Sequence, residues 1–141
     1  MARARHKRGI LDTGTVIFLP RIEDPTVLPD EPLITAITLA ELTVGPLVAS
    51  SDEERAARQA HLQQAEADFD PLPFDANAAR AFGRVAAALR RRGRKATARS
   101  YDAMIAATAI ANELPLYTSN AADFSGIDGL DVVAVAIPSS E

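Results

Sequence analysis

The sequence predicts an α/β fold in which a parallel sheet is covered by helices on both faces. Short apolar segments rich in Leu, Ile and Val alternate along the chain with segments whose apolar residues recur at the helical period of 3.6. The apolar segments are continuous runs, as is typical of strands that are buried on both faces. This alternation of strand and helix favours a parallel sheet with helical crossovers.

Strands and helices alternate from the start of the chain. Four prolines between positions 20 and 32 predict a loop, because proline removes a backbone donor and restricts the residue before it. Gly45 and Pro46 are expected to bend or split the second helix. The predicted elements of this half are a strand over 9–13, a helix start over 14–19, a strand over 33–37 and a helix from Thr38 to about Val48.

Capping residues mark the helices of the second half. Ser51 and Glu54 have the spacing of a capping box, Asp75 can cap the next helix, and Gly93 can end it. The predicted elements are helices over 52–68, between Asp75 and Gly93 and over 100–113, and strands over 70–74, 116–118 and 132–135.

The composition is that of an ordinary globular protein. Of 141 residues, 48% are hydrophobic and 24% are charged, which predicts one domain over residues 1–141. No apolar run approaches the roughly 20 residues of a membrane helix, and the basic start lacks a signal-peptide cleavage pattern. We therefore expect a cytoplasmic protein without a membrane segment. The absence of cysteine excludes disulfides and thiolate chemistry.

Positive charge is concentrated in two places, although the net charge is −4. One group surrounds Gly93 and includes Arg91, Arg92 and Arg94, and the other lies within residues 3–8. Such groups are either solvated surfaces or contacts to the phosphate backbone of a nucleic acid. Both interpretations stay open at this point.

Four acidic residues are expected to meet at one edge of the sheet. In a parallel α/β domain, the carboxyl ends of the strands and the amino ends of the following helices share the edge where ligands bind. The four are Asp12 after the first strand, Glu41 and Asp102 in the first turns of helices, and Asp123 after the strand over 116–118.

Each acid also has a purely structural explanation. Asp12 can cap a helix, and Thr38 with Glu41 has the spacing of a capping box. Asp102 can favour a helix start through the macrodipole, and Asp123 can be an ordinary turn residue.

A cation explains all four acids together. Converging carboxylates repel one another unless a cation neutralises them. Ligands that are all carboxylates indicate a hard cation, magnesium or manganese. His6 and His61 lie in polar segments away from these acids, so a histidine-pair mechanism has little support.

Four segments carry a resemblance that covers nearly the whole chain. They are residues 10–13 (I-L-D-T), 37–42 (I-T-L-A-E-L), 101–109 (Y-D-A-M-I-A-A-T-A) and 116–124 (L-Y-T-S-N-A-A-D-F). In this order they resemble the PIN-domain nucleases, and in particular the VapC-like toxins of bacterial toxin–antitoxin pairs.

The resemblance implies a PIN-like three-layer α/β/α domain with a central parallel sheet of about five strands. It implies an endoribonuclease in which metal-activated water hydrolyses RNA phosphodiester bonds, with magnesium, or manganese in its place, as the cofactor. Asp12, Glu41 and Asp102 are then catalytic residues and metal ligands, while Thr13 and Thr118 orient ligands or water.

The fourth ligand is open between two residues. Many members of the family have an aspartate where this chain has Asn120. Asp123 is therefore preferred as a catalytic residue and metal ligand for its charge, and Asn120 is retained as a neutral oxygen ligand or phosphate contact. The family also commonly has Ser or Asn where this chain has Gly14.

The resemblance also implies partners. They are a cognate antitoxin, a transfer or ribosomal RNA as substrate, and a second copy of the chain, which gives a homodimer and a heterotetramer or larger assembly with the antitoxin. Arg91, Arg92 and Arg94 would bind RNA phosphates at the rim of the acidic pocket.

Two other functions are considered. Asp12-Thr13-Gly14 matches the aspartic-protease triplet, but those proteases are β-rich and would leave Glu41 and Asp102 without a role. The second is a catalytically silent domain of the same fold that serves as an interaction module, which the intact acidic residues argue against.

Overall fold

A four-stranded parallel sheet lies at the centre of the protein. The computed structural model describes residues 6–93 and 100–137, and within these ranges the strand order is β2-β1-β3-β4. None of its helices there is long and apolar enough to cross a membrane. The strands are β1 (Arg8–Leu11), β2 (Glu31–Leu33), β3 (Leu116–Thr118) and β4 (Val132–Ala134). The helices are α1 (Thr13–Phe18), α2 (Ala36–Leu47), α3 (Asp52–Asp68), α4 (Ala76–Arg91) and α5 (Ser100–Ala111).

The sheet separates two apolar layers. Ile10 and Leu116 pack on the side of α4 and α5, whereas Leu11 and Tyr117 pack on the side of α1, α2 and α3. Successive side chains of a strand point to opposite faces, so neighbouring residues of β1 and β3 contribute to different layers. The predicted three-layer α/β/α arrangement is confirmed.

The fifth strand, predicted over residues 70–74, is reduced to one bridge. Leu72 donates its N–H to the Ile34 carbonyl at 2.9 Å, and its own carbonyl accepts from the Ala36 N–H at 2.8 Å. Pro71 and Pro73 on either side have no N–H, so this ladder does not extend. The described sheet therefore has four strands where about five were predicted.

Helix α2 begins earlier than predicted. Thr35 caps it by accepting from the Thr38 N–H at 3.1 Å, so Thr38 lies inside the first turn. Glu41 consequently lies in the second turn, and its assignment to a capping box is wrong. The expected split of the helix at Gly45 and Pro46 is also wrong, because α2 continues through both residues to Leu47. Proline is tolerated there because it removes only one hydrogen bond in the last turn.

The other predicted caps are confirmed. Ser51 accepts from the Glu54 N–H at 3.1 Å, and Asp75 accepts from the Ala78 N–H at 3.0 Å. Gly93 follows the end of α4 with φ of 75°, a left-handed conformation that glycine adopts without strain.

Candidate active site

The register of β1 and β3 places Asp12 beside Thr118. Leu11 lies opposite Tyr117, and the Asp12 N–H donates to the Tyr117 carbonyl at 3.0 Å. Thr118 Oγ1 donates to Asp12 Oδ2 at 2.5 Å. Asp12 is 6% exposed and Thr118 is fully buried. A carboxylate is stable in such a place only when polar groups surround it, and the Thr118 hydroxyl is one of them.

A second buried threonine, Thr15, contacts the other oxygen of Asp12. Its N–H and hydroxyl donate to Asp12 Oδ1 at 2.9 Å and 2.6 Å. Asp12 is therefore also the N-cap of α1, which confirms the structural explanation for this residue. Thr15 was missed as a site residue. The signal that could have found it is the Asp-x-x-Thr spacing, because an N-cap side chain bonds the N–H three residues on.

Glu41 is held by a chain of hydroxyl groups. Thr13 Oγ1 donates to Glu41 Oε1 at 2.7 Å. Thr13 Oγ1 also lies 2.9 Å from Thr38 Oγ1. Since a hydroxyl has one proton and Thr13 donates it to Glu41, Thr38 is the donor in the second bond. This chain joins the start of α1 to α2.

The charges of three acids act on one another. Burial raises the pKa of Glu41 above its ordinary value, and the hydrogen bond from Thr13 opposes this rise. Asp102 and then Asp12 raise the pKa further by charge repulsion. Asp102 is partly buried in the first turn of α5. The fold therefore brings Asp12, Glu41 and Asp102 into one electrostatic field.

Asp123 and Asn120 lie on the turn that follows β3. The Asn120 N–H donates to Thr118 Oγ1 at 3.0 Å, and the Asp123 N–H donates to the Asn120 carbonyl at 2.9 Å. This turn continues as a 3₁₀ helix, Ala121–Phe124. Asn120 is exposed and Asp123 is partly buried. Asn120 is connected to Asp12 through two hydrogen bonds and Asp123 through three, and both stay candidates for the fourth ligand.

The donor set fits a hard divalent cation. Carboxylate and hydroxyl oxygens surround Asp12 and Glu41, and magnesium prefers oxygen ligands. After burial, repulsion from Asp102 and Asp12 also raises the pKa of Glu41, and a divalent cation would remove that repulsion. Over residues 6–93 and 100–137, no three Asp, Glu or His side chains are grouped as a ready metal cluster. A bound cation would therefore need side-chain movement or water ligands to complete its coordination.

The three arginines proposed for RNA contact differ in position. Arg94 lies outside the described residues. Arg91 is exposed in the last turn of α4. Arg92 is also at the surface, but its Nη1 donates to Ser125 Oγ at 3.1 Å. Arg92 therefore contacts the protein itself.

Glu41→Gln is expected to raise the melting temperature of the metal-free protein at about pH 7. Glutamine retains an oxygen that can accept the Thr13 hydroxyl but carries no charge. Because folding raises the pKa of Glu41, the ionised form destabilises the folded protein at neutral pH. That destabilisation disappears as the pH falls through the folded-state pKa toward the ordinary value of 4.5.

Thermal unfolding in EDTA, from about pH 7 to about pH 4, measures this difference. The advantage of Glu41→Gln should shrink steadily as the pH falls. A wild type that is the more stable protein at neutral pH would contradict the raised pKa of Glu41.

Comparison with known proteins places the chain in a family. A model of the PIN domain matches residues 11–130. Ribonuclease VapC5 of Mycobacterium tuberculosis is 39% identical over 129 residues, which cover 90% of this chain and 93% of the relative.

Solved structures give the same result. The VapBC-5 toxin–antitoxin structure from Mycobacterium tuberculosis matches with a TM-score of 0.77 and 36% identity over 92% of this chain and 99% of that one. DNA-bound VapBC from Salmonella typhimurium matches with a TM-score of 0.71 and 27% identity over 90% and 96% of the two chains. The chain thus belongs to the PIN-domain family, within its VapC group.

Proposed function

We propose that this chain is the ribonuclease toxin of a toxin–antitoxin pair, and that it hydrolyses RNA phosphodiester bonds at Asp12, Glu41 and Asp102. The observation that carries the proposal is the match of the PIN-domain model to residues 11–130, in a fold where partly buried Glu41 lies close enough to Asp102 and Asp12 to feel their charges. Uncompensated neighbouring carboxylates destabilise a fold, so their presence favours a site that binds a cation. The ribonuclease name of a relative that is 39% identical supports RNA as the substrate.

The cofactor proposed for this site is magnesium, with manganese in its place. Asp12, Glu41 and Asp102 would hold it, with Asp123 or Asn120 as the fourth ligand. The bound cation would activate a water molecule and stabilise charge on the scissile phosphate.

The contribution of the chain itself is orientation. Thr15 and Thr118 hold the two oxygens of Asp12, and Thr13 holds one oxygen of Glu41. Side chains fixed in this way lose little further freedom when they bind a cation or a phosphate.

The proposed partners are RNA and an antitoxin. The matched solved structures are members of toxin–antitoxin systems, which supports an antitoxin as a partner of this chain. A second copy of the chain, a transfer or ribosomal RNA substrate and a cytoplasmic location complete the proposal. Arg91, exposed at the end of α4, is the described arginine that we propose as a phosphate contact.

Incubation of the purified chain with total cellular RNA tests this function. Sequencing of the new 5′ ends should show cleavage at a few sites in magnesium or manganese and none in EDTA. Equal cleavage in EDTA would contradict a metal-dependent nuclease. Intact RNA in magnesium, from a chain that still binds its antitoxin, would support the silent interaction module.

The protease alternative is not supported by the fold. Asp12-Thr13-Gly14 follows the carboxyl end of β1 in a parallel sheet and continues into helix α1. Aspartic proteases need two aspartates that share a proton. Here the acids that act on Glu41 are Asp12, the N-cap of α1, and Asp102 in α5, and no second such triplet occurs in the sequence.

A further inference from the structure

Arg92 connects the end of α4 to the loop that follows the 3₁₀ helix Ala121–Phe124. Its Nη1 donates to Ser125 Oγ at 3.1 Å, and Ser125 Oγ donates to the Ala122 carbonyl at 2.9 Å. The Ser125 N–H donates to the same carbonyl at 3.3 Å. Arg92 therefore adds a charged donor to the serine that closes this 3₁₀ helix.

Gly126 supports the same contact. It has φ of 79°, where glycine is favoured, and a Cβ built on it would overlap the Arg92 guanidinium group. The guanidinium group therefore lies against the backbone of the loop. Phe124 and Ile127, on either side of this serine and glycine, are 3% and 7% exposed and belong to the core on the α4 and α5 side.

The other end of the same turn is connected to the acidic site. The Asn120 N–H donates to Thr118 Oγ1, and Thr118 Oγ1 donates to Asp12 Oδ2. The segment that carries Asn120 and Asp123 is thus held at its start by Thr118. At its end it is held by Ser125 and Arg92.

We propose that Arg92 is a positioning residue, which acts through Ser125 to hold the Asn120–Asp123 turn beside Asp12, and is not an RNA contact. The proposal rests on the proposed function for its consequence in catalysis. An exposed hydrogen bond of this kind contributes little to global stability. Its effect should therefore appear in the order of the turn and in metal binding, with melting temperatures within about 2 °C of wild type.

Three variants separate positioning from phosphate binding. Arg92→Gln removes the charged donor, Ser125→Ala removes its acceptor without a change in charge, and Arg91→Gln removes the neighbouring exposed charge. In magnesium titrations by calorimetry and by cleavage, Arg92→Gln and Ser125→Ala should each weaken the apparent metal affinity by about 3- to 10-fold. This is less than the roughly 10- to 100-fold cost of losing a direct partner of a metal ligand, because Arg92 and Ser125 act through the turn. Because the two groups form one bond, the double variant should be no worse than the poorer single variant.

The salt dependence of RNA binding should change in Arg91→Gln and stay unchanged in Ser125→Ala, which is the reverse of their expected effects on metal affinity. Arg91→Gln should weaken RNA binding and reduce the slope of log K against log salt by about 1, without a change in metal affinity. Ser125→Ala should leave this slope unchanged. If Ser125→Ala behaves as wild type in metal affinity while Arg92→Gln reproduces Arg91→Gln, Arg92 is an RNA contact and the proposal is overturned.

Amide hydrogen exchange tests the position of the Asn120–Asp123 turn without depending on RNA cleavage. The N–H groups of Asp123 and Ser125 bond the Asn120 and Ala122 carbonyls. Both should exchange faster in Arg92→Gln and Ser125→Ala, and at the wild-type rate in Arg91→Gln. Unchanged exchange in the first two variants would overturn the proposal, whether or not the wild type cleaves RNA. If the two variants exchange faster than the wild type while the wild type itself cleaves no RNA, the positioning is supported and only the proposed function is contradicted.

Discussion

Asp12→Asn is expected to reduce RNA cleavage by roughly 10³-fold while the protein stays folded, which is the scale of loss for a single essential group. Asparagine is as good an N-cap as aspartate, and its side-chain oxygen can still accept from Thr15. It lacks the charge that a divalent cation needs. Cleavage assays in magnesium and thermal unfolding in EDTA measure the two effects separately.

Asp12→Ala is the contrasting variant. It removes the charge and also the cap of α1. It leaves the buried Thr118 hydroxyl without its Asp12 acceptor and leaves the Thr15 hydroxyl only the Tyr117 carbonyl, 3.5 Å away. We expect a loss of about 1 to 3 kcal/mol in the free energy of unfolding, in addition to the loss of cleavage. Equal stability of the alanine and asparagine variants would contradict the capping role.

The same pair of variants has an expected effect in cells. Induced expression of the wild-type chain without an antitoxin should halt growth, and neither variant should do so at equal protein level. Persistent growth arrest by Asp12→Asn would count against a metal-dependent ribonuclease as the toxic activity.

Asp102→Asn is expected to be at least as stable as the wild type without metal and less stable than the wild type in magnesium. Asp102 raises the pKa of Glu41 by repulsion, so its neutralisation should leave the metal-free protein at least as stable as wild type at about pH 7. In magnesium, the wild type gains binding free energy that the variant largely loses, about 2.7 kcal/mol at a concentration of about 100 Kd. Cleavage should fall by roughly 10³-fold.

A matched substitution outside the site provides the control. Asp70 is exposed in the segment after α3, and Asp70→Asn makes the same chemical change there. It should shift neither the melting temperature in EDTA nor the gain in magnesium. An Asp102→Asn variant that is less stable in EDTA yet active in magnesium would make Asp102 a structural residue of α5.

The placement of the acids could be predicted because it follows from topology. Asp12 ends up beside Thr118, 106 residues away, since β1 and β3 are parallel neighbours and both end at the same edge. The identity of the fourth ligand could not be predicted in this way. Asn120 and Asp123 belong to one short turn, where the order of strands and helices says nothing about side-chain direction.

Local sequence patterns gave a wrong prediction for the Thr38–Glu41 capping box and did not indicate the contact of Arg92 with Ser125. Thr38 with Glu41 has the spacing of a capping box, but Thr35 is the cap that the structure contains. Arg92 looked like its exposed neighbour Arg91 in sequence, yet it contacts Ser125, 33 residues away. Charge clustering along a chain does not indicate which side chain meets another part of the fold.

The sequence by itself determined the order of strands and helices except for the strand predicted over 70–74, together with the parallel sheet and the acids at its carboxyl edge. These depend on short-range periodicity and on the rule that parallel strands end together. Only the tertiary structure decided that Thr15 and Thr118 hold Asp12, that Asp102 acts on Glu41, and that Arg92 lies against Gly126. Hydrogen bonds and repulsion act over a few ångströms, and those distances are set by how distant elements pack against one another.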